Sequence, residues 1–152
     1  MEAGNQSNQH APALPGRVLA LDLGKRRIGL AISDGLGITA QGLQTLERTN
    51  IREDIDALAT LAREREVALF LLGRPLHMSG AEGRQTAWVD DFARRLRSAT
   101  GLPVDFHDER LTSVEAGRVL RSSGISIEKR ARAVDRLAAV ILLQSWLDAH
   151  HP

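Results

Sequence analysis

Three carboxylates in this chain stand where their neighbours are apolar. Asp22 follows Val18, Leu19, Ala20 and Leu21, a run apolar enough for a strand covered on both faces. Gly24, two places on, permits a sharp exit and a close backbone approach. Glu109 closes the run VDFHDE at 104–109, where strand alternation turns it to the opposite side from Asp108. Asp135 heads a helical face continued by Ala138, Ala139, Leu142 and Trp146. A carboxylate in such surroundings costs on the order of several kcal/mol unless it meets a cation, a metal or several donors. Taken singly, each has an ordinary explanation: a turn aspartate, a solvated strand end, or an anion in a helix's first turn. Taken together, strand ends and a helix start are where an α/β sheet forms its ligand crevice. Acids without a thiolate or histidine cluster suit a hard divalent cation, Mg2+ or Mn2+, and the natural chemistry of such a site is phosphoryl transfer.

The basic residues are placed to serve that chemistry. Lys25, Arg26 and Arg27 lie beside Asp22, Arg110 beside Glu109, and Lys129, Arg130 and Arg132 shortly before Asp135, so they are the candidate phosphate contacts. Only two of the 20 basic residues are lysines, Lys25 and Lys129, and each is near one of the acids. Net charge is +1, so local placement rather than a global field would draw a polyanion. With three phenylalanines and no tyrosine, binding should rest on backbone phosphate and shape rather than on base stacking. His77 is a candidate substrate contact, whereas Met78, Trp88 and Trp146 are expected in the core.

The elements that must position these groups follow from periodicity. RIGLAIS at 27–33 is a second strand, and GITAQGLQTL at 37–46 a third joined to it by the Asp34-Gly35 turn. Asn50 caps an amphipathic helix that places Ile51, Ile55, Leu58 and Ala62 on one face. ALFLLG at 68–73 is a fourth, all-apolar strand, and the loop after it is broken by glycine and proline. Trp88, Phe92, Leu96 and Ala99 mark a helix from about 82 to 100 that Gly101 ends. VDFHDE is the fifth strand. Thr112 and Glu115 form a capping box for a short helix ended by Gly124, and residues 133–147 form a last, strongly apolar helix. The class is α/β with a mixed sheet.

A chain of 152 residues is about one domain long, expected over 17–150, with residues 1–16 a disordered tail that has neither the basic start nor the apolar core of a leader. Cysteine is absent, which excludes thiolate metal sites and fits a cytoplasmic, reducing location, and no stretch is long enough to span a bilayer.

Four stretches, DLGKRRIGLAISD (22–34), GRPLHMSGAEG (73–83), DERLTSVEA (108–116) and VDRLAAVILLQ (134–144), resemble in order the successive motifs of the YqgF family, also called RuvX. The resemblance implies a ribonuclease H-like fold with a five-stranded sheet. It also implies a metal-dependent nuclease of ribosome biogenesis, either maturing the precursor of 16S ribosomal RNA or resolving Holliday junctions, with Asp22, Glu109 and Asp135 as the metal-binding acids. Two departures stand out: Arg74 and His77 occupy positions of the second motif that the family fills differently, and Ala138 stands where related resolvases carry a further acid. RNA is the expected partner of a monomer or homodimer. A DNA junction resolvase, which needs a symmetric dimer to reach opposed strands, and a non-catalytic nucleic-acid-binding factor are the alternatives.

Overall fold

The computed structural model describes residues 16–74, 81–108 and 127–150, with side chains described for 16–74, 86–108 and 133–150. Five strands, β1 (Arg17–Leu23), β2 (Arg27–Ser33), β3 (Ala40–Glu47), β4 (Val67–Arg74) and β5 (Val104–Asp108), form one sheet in the order β3-β2-β1-β4-β5. Three helices accompany them: α1 (Ile51–Glu64), α2 (Ala81–Thr100) and α3 (Ile127–His150). β1 pairs antiparallel with β2 and parallel with β4, β2 antiparallel with β3, and β4 parallel with β5. The carboxyl ends of β1, β4 and β5 therefore share one edge of the sheet, where an open α/β sheet binds ligands.

Centrality explains the apolar run at 18–21, all four of whose residues are fully buried. Leu19 and Leu21 face α1 and α2 with Leu30, Ile32, Phe70 and Leu72, against Leu58, Phe92 and Leu96. Val18 and Ala20 face α3 with Ala31 and Leu71, against Ala139, Leu142, Leu143 and Trp146. Small residues on the α3 side let that helix lie close. A Cβ on Gly29 would sit 2.0 Å from the Asp135 carbonyl oxygen, and one on Gly42 would sit 2.7 Å from Arg136 Cγ.

Local signals end the elements as expected in several places. The Asn50 side chain accepts from the Glu53 amide at 2.9 Å to cap α1, and Gly101 leaves α2 at φ +73°. Two starts differ by three residues or more. β3 starts at Ala40 rather than 37, because Gly37 turns at φ +71° and the Asp34 carboxylate accepts from the Ile38 and Thr39 amides. α3 starts at Ile127, six residues ahead of the apolar stripe, through a segment of helix-favouring Glu, Lys, Arg and Ala without apolar period. The 1–15 part of the expected tail and the capping-box helix at 112–124 lie outside the described residues, as do His77 and Met78. Trp146 is buried in the α3 core, and Trp88 is partly buried against the other core. Among the described residues, no helix is long and apolar enough to cross a membrane.

Candidate functional site

Asp22 has the parity of Val18 and Ala20, so it lies on the α3 side of β1, half-buried one residue before the strand ends. Its partner across the antiparallel ladder is Gly29. The α3 backbone rests on that same glycine at Asp135, close enough that any side chain there would collide with it. Asp22 and Asp135, 113 positions apart in the sequence, thus flank one glycine. α3 begins eight residues before Asp135, so this acid is more than two turns into the helix, and the first-turn macrodipole explanation does not apply to it.

Arg27 satisfies the need of Asp135 for a partner. It opens β2 on the same face as Gly29, and its Nε donates to Asp135 Oδ2 at 2.8 Å, with both side chains about a quarter exposed (26% and 24%). The hydrogen bond to Asp135, aided by the attraction of Asp135 and Glu47, raises the guanidinium pKa against the opposing effect of burial. Arg27 is therefore engaged within the protein, whereas its neighbours Lys25 and Arg26, at the tip of the β1–β2 hairpin, are exposed. The close approach permitted at Gly24 is made by this hairpin: the Gly24 amide donates to the Arg27 carbonyl at 3.0 Å, and a Cβ on Gly24 would sit 2.8 Å from that oxygen.

Glu109 and Arg110 lie outside the described residues. Lys129, Arg130 and Arg132 belong to the first turns of α3, with side chains outside the described set. The described part of β5 presents Asp105 and His107 to α3, where Asp105 Oδ2 accepts from Trp146 Nε1 at 3.0 Å and His107 Nε2 lies 2.9 Å from Ser145 Oγ. Among the described residues, no three acids or histidines gather closely enough to hold a metal ion. Arg74, the unusual residue of the second motif, packs on the other side of the sheet. Its Nη1 donates to Asp90 Oδ1 at 2.9 Å and its guanidinium lies 4.3 Å over the Phe106 ring.

Two groups escaped sequence reasoning. Asp54 follows Ile51 at the same helical spacing as the apolar face, a signal that it is buried, and it is 2% exposed. Arg48, just after β3, pairs with it, Nε to Oδ2 at 2.9 Å.

A family model described as RuvX, Holliday junction resolvase, matches residues 16–149. Proteins of Koribacter versatilis and Myxococcus xanthus, provisionally named pre-16S rRNA nucleases, are 54% and 46% identical to this chain over 90% of its length and 89% and 90% of theirs. Among solved structures, Thermus thermophilus RuvC in complex with a Holliday junction substrate is similar with a TM-score of 0.55 at 13% identity, covering 88% of this chain and 94% of that one. A fowlpox virus resolvase in complex with Holliday junction DNA is similar at 0.54 and 11%, covering 88% and 97%. These likenesses give the five-stranded sheet and its helices as a ribonuclease H-like fold.

Proposed function

The chain belongs to the RuvX family and is a phosphodiester-hydrolysing nuclease; from that premise we propose that it cleaves structured RNA in the cytoplasm, the precursor of 16S ribosomal RNA, with Asp22, Glu109 and Asp135 holding Mg2+ or Mn2+. The observation that carries this reading is the contact at Gly29, which sets the Asp135 backbone against the ladder partner of Asp22 at the carboxyl edge of the parallel strands. Carboxylate oxygens are the donors a hard divalent ion prefers, so the described pair fits such an ion. In the sequence, Glu109 ends the run VDFHDE on the opposite parity to Asp108, which supports it as the third acid.

The divalent ion, when bound, supplies an activated water and charge stabilisation at the cleaved phosphate. The chain's own residues do the rest. Asp22 and Asp135 offer oxygens from two elements whose separation is fixed by the glycine contact. Arg27 orients the Asp135 carboxylate. Lys25 and Arg26 hold phosphates from the exposed hairpin, and Arg110, Lys129, Arg130 and Arg132 are the further phosphate contacts that the sequence offers beside Glu109 and Asp135. The names of the relatives support an RNA substrate.

Purified protein with Mg2+ or Mn2+, challenged with matched ribosomal RNA precursors and four-way DNA junctions, tests the proposal. Cleavage of the precursor that EDTA abolishes is the expected result. Preferential junction cleavage by a dimer would replace it with the resolvase function, and absence of both cleavage and metal binding would leave a non-catalytic binding factor.

A further inference from the structure

We propose that Arg48 is a positioning residue that fixes the Lys25–Arg26 turn for phosphate binding by holding the backbone on both sides of Lys25. The proposal rests on the phosphate role given to that turn above. The Arg48 amide donates to the Arg26 carbonyl at 2.8 Å, and its Nη1 donates to the Gly24 carbonyl at 3.0 Å. The guanidinium is itself immobilised on three sides. Nε pairs with the buried Asp54 carboxylate at 2.9 Å, whose other oxygen accepts from the Thr49 amide, and Cζ lies 4.8 Å from the Trp88 ring centre and 5.7 Å from that of Phe92.

A surface ion pair would not require this arrangement. The side chains of Arg48 and Asp54 are only 12% and 2% exposed, yet the free arm of the guanidinium is spent on a carbonyl of an otherwise exposed turn. A turn of two long cationic side chains, Lys25 and Arg26, loses conformational entropy when it meets a phosphate. Fixing its backbone beforehand lowers that cost, which is how preorganisation raises affinity. The guanidinium fork is suited to the task because it can hold a carboxylate with one edge and a carbonyl with another, which a lysine ammonium cannot reproduce in the same geometry.

Arg48→Lys tests the clamp, since it keeps a positive charge for Asp54 and the backbone bond to Arg26 while removing the second arm. The variant should raise KM for a ribosomal RNA precursor about tenfold, short of the roughly 100-fold that a 1 Å misplacement can cost, with kcat unchanged and the Gly24 amide exchanging faster in the free protein. Arg48→Met combined with Asp54→Asn removes the arm without orphaning a charge and should behave alike, so a folding failure of one variant leaves the other. Both are compared in the wild-type background and with Lys25→Ala and Arg26→Ala. The turn variant alone should lower the slope of log affinity against log salt by about 1.4 to 1.8 for two lost contacts, from single-stranded to duplex sites, and in it the Arg48 substitutions should add no further rise in KM. An equal rise in both backgrounds overturns the clamp alone. An unchanged salt slope in the turn variant overturns the phosphate role of the turn, and the proposal with it.

Discussion

Two arginine–aspartate pairs hold the two sides of one hairpin and differ in almost everything except bond length. Arg27–Asp135 closes at 2.8 Å on the α3 side, with each side chain about a quarter exposed. Arg48–Asp54 closes at 2.9 Å on the opposite side, with Asp54 2% exposed and the guanidinium stacked on aromatic rings. Water near the first pair screens it, so it contributes about 0.2–1 kcal/mol, and its members remain able to exchange partners. The second pair has no water to fall back on, and removing either member strands the other. Bond length does not separate a site from a scaffold; burial and the remaining hydrogen bonds do.

The largest effect expected from this contrast is on catalysis. Asp135→Asn keeps the shape of the half-buried pair while removing a charge, so the protein should fold with near-normal stability. Cleavage should fall by about 100-fold or more, roughly 2.7 kcal/mol of transition-state stabilisation. RNA affinity, carried by the basic turn, should largely survive. Melting, binding and metal-dependent cleavage measured on one preparation decide it, and full cleavage by this variant would remove Asp135 from the site. Asp54→Ala should do the reverse. It strands Arg48 in the interior and should cost about 3–5 kcal/mol in chemical denaturation, while the folded fraction keeps its turnover. Comparable stability losses in the two variants would erase the distinction between the pairs.

Gly29→Ala probes what brings the Arg27–Asp135 pair to Asp22. The added methyl would lie 2.0 Å from the Asp135 carbonyl oxygen, so α3 must move off β2. Overpacking of this kind costs about 1–3 kcal/mol, occasionally more. Because the shift separates Asp135 from Asp22, kcat should drop as well, unlike in Asp54→Ala. A variant with wild-type stability and wild-type cleavage would show that the glycine contact does not set the geometry of the acids.

Much of this is legible in the sequence. β2 runs over 27–33 as its apolar pattern dictates, and Asn50 and Gly101 do what cap chemistry requires of them. The α/β class and the mixed five-stranded sheet followed from element order and from the family's motifs. Pairings across the fold were not legible. Nothing in a one-dimensional pattern says that Gly29 is glycine because a helix backbone lands on it a hundred residues later, or that Arg27, one of three adjacent cations, turns to an aspartate rather than to solvent. The early start of α3 was hidden for a related reason: its first turns are built from charged helix formers, which carry propensity but no apolar stripe. Asp54 differs, since its spacing from Ile51 and Leu58 carries the signal of the buried face of α1, but a stripe sought among apolar residues alone passes over it.

The smallest effect concerns a third aspartate, held by backbone amides, which sharpens the comparison by separating charge from counter-charge. Asp34 accepts from the Ile38 amide at 2.7 Å and the Thr39 amide at 3.2 Å, and these bonds, Ile38 first, hold its pKa below the ordinary carboxyl value of 3.8. A depressed folded pKa means that the carboxylate's contribution to the β2–β3 turn is present above the unfolded value and lost as pH falls through the folded one. The turn should therefore be indifferent to pH near neutrality and loosen only in acid, below 3.8. Because Asp34 is exposed at the surface, the change should be local, read from the Ile38 and Thr39 amide shifts in an NMR titration rather than from global melting. Asp34→Ala should abolish the titration of both amides while leaving RNA cleavage intact, and a midpoint at or above 3.8 for those amides would contradict the backbone bonds as the source of the shift.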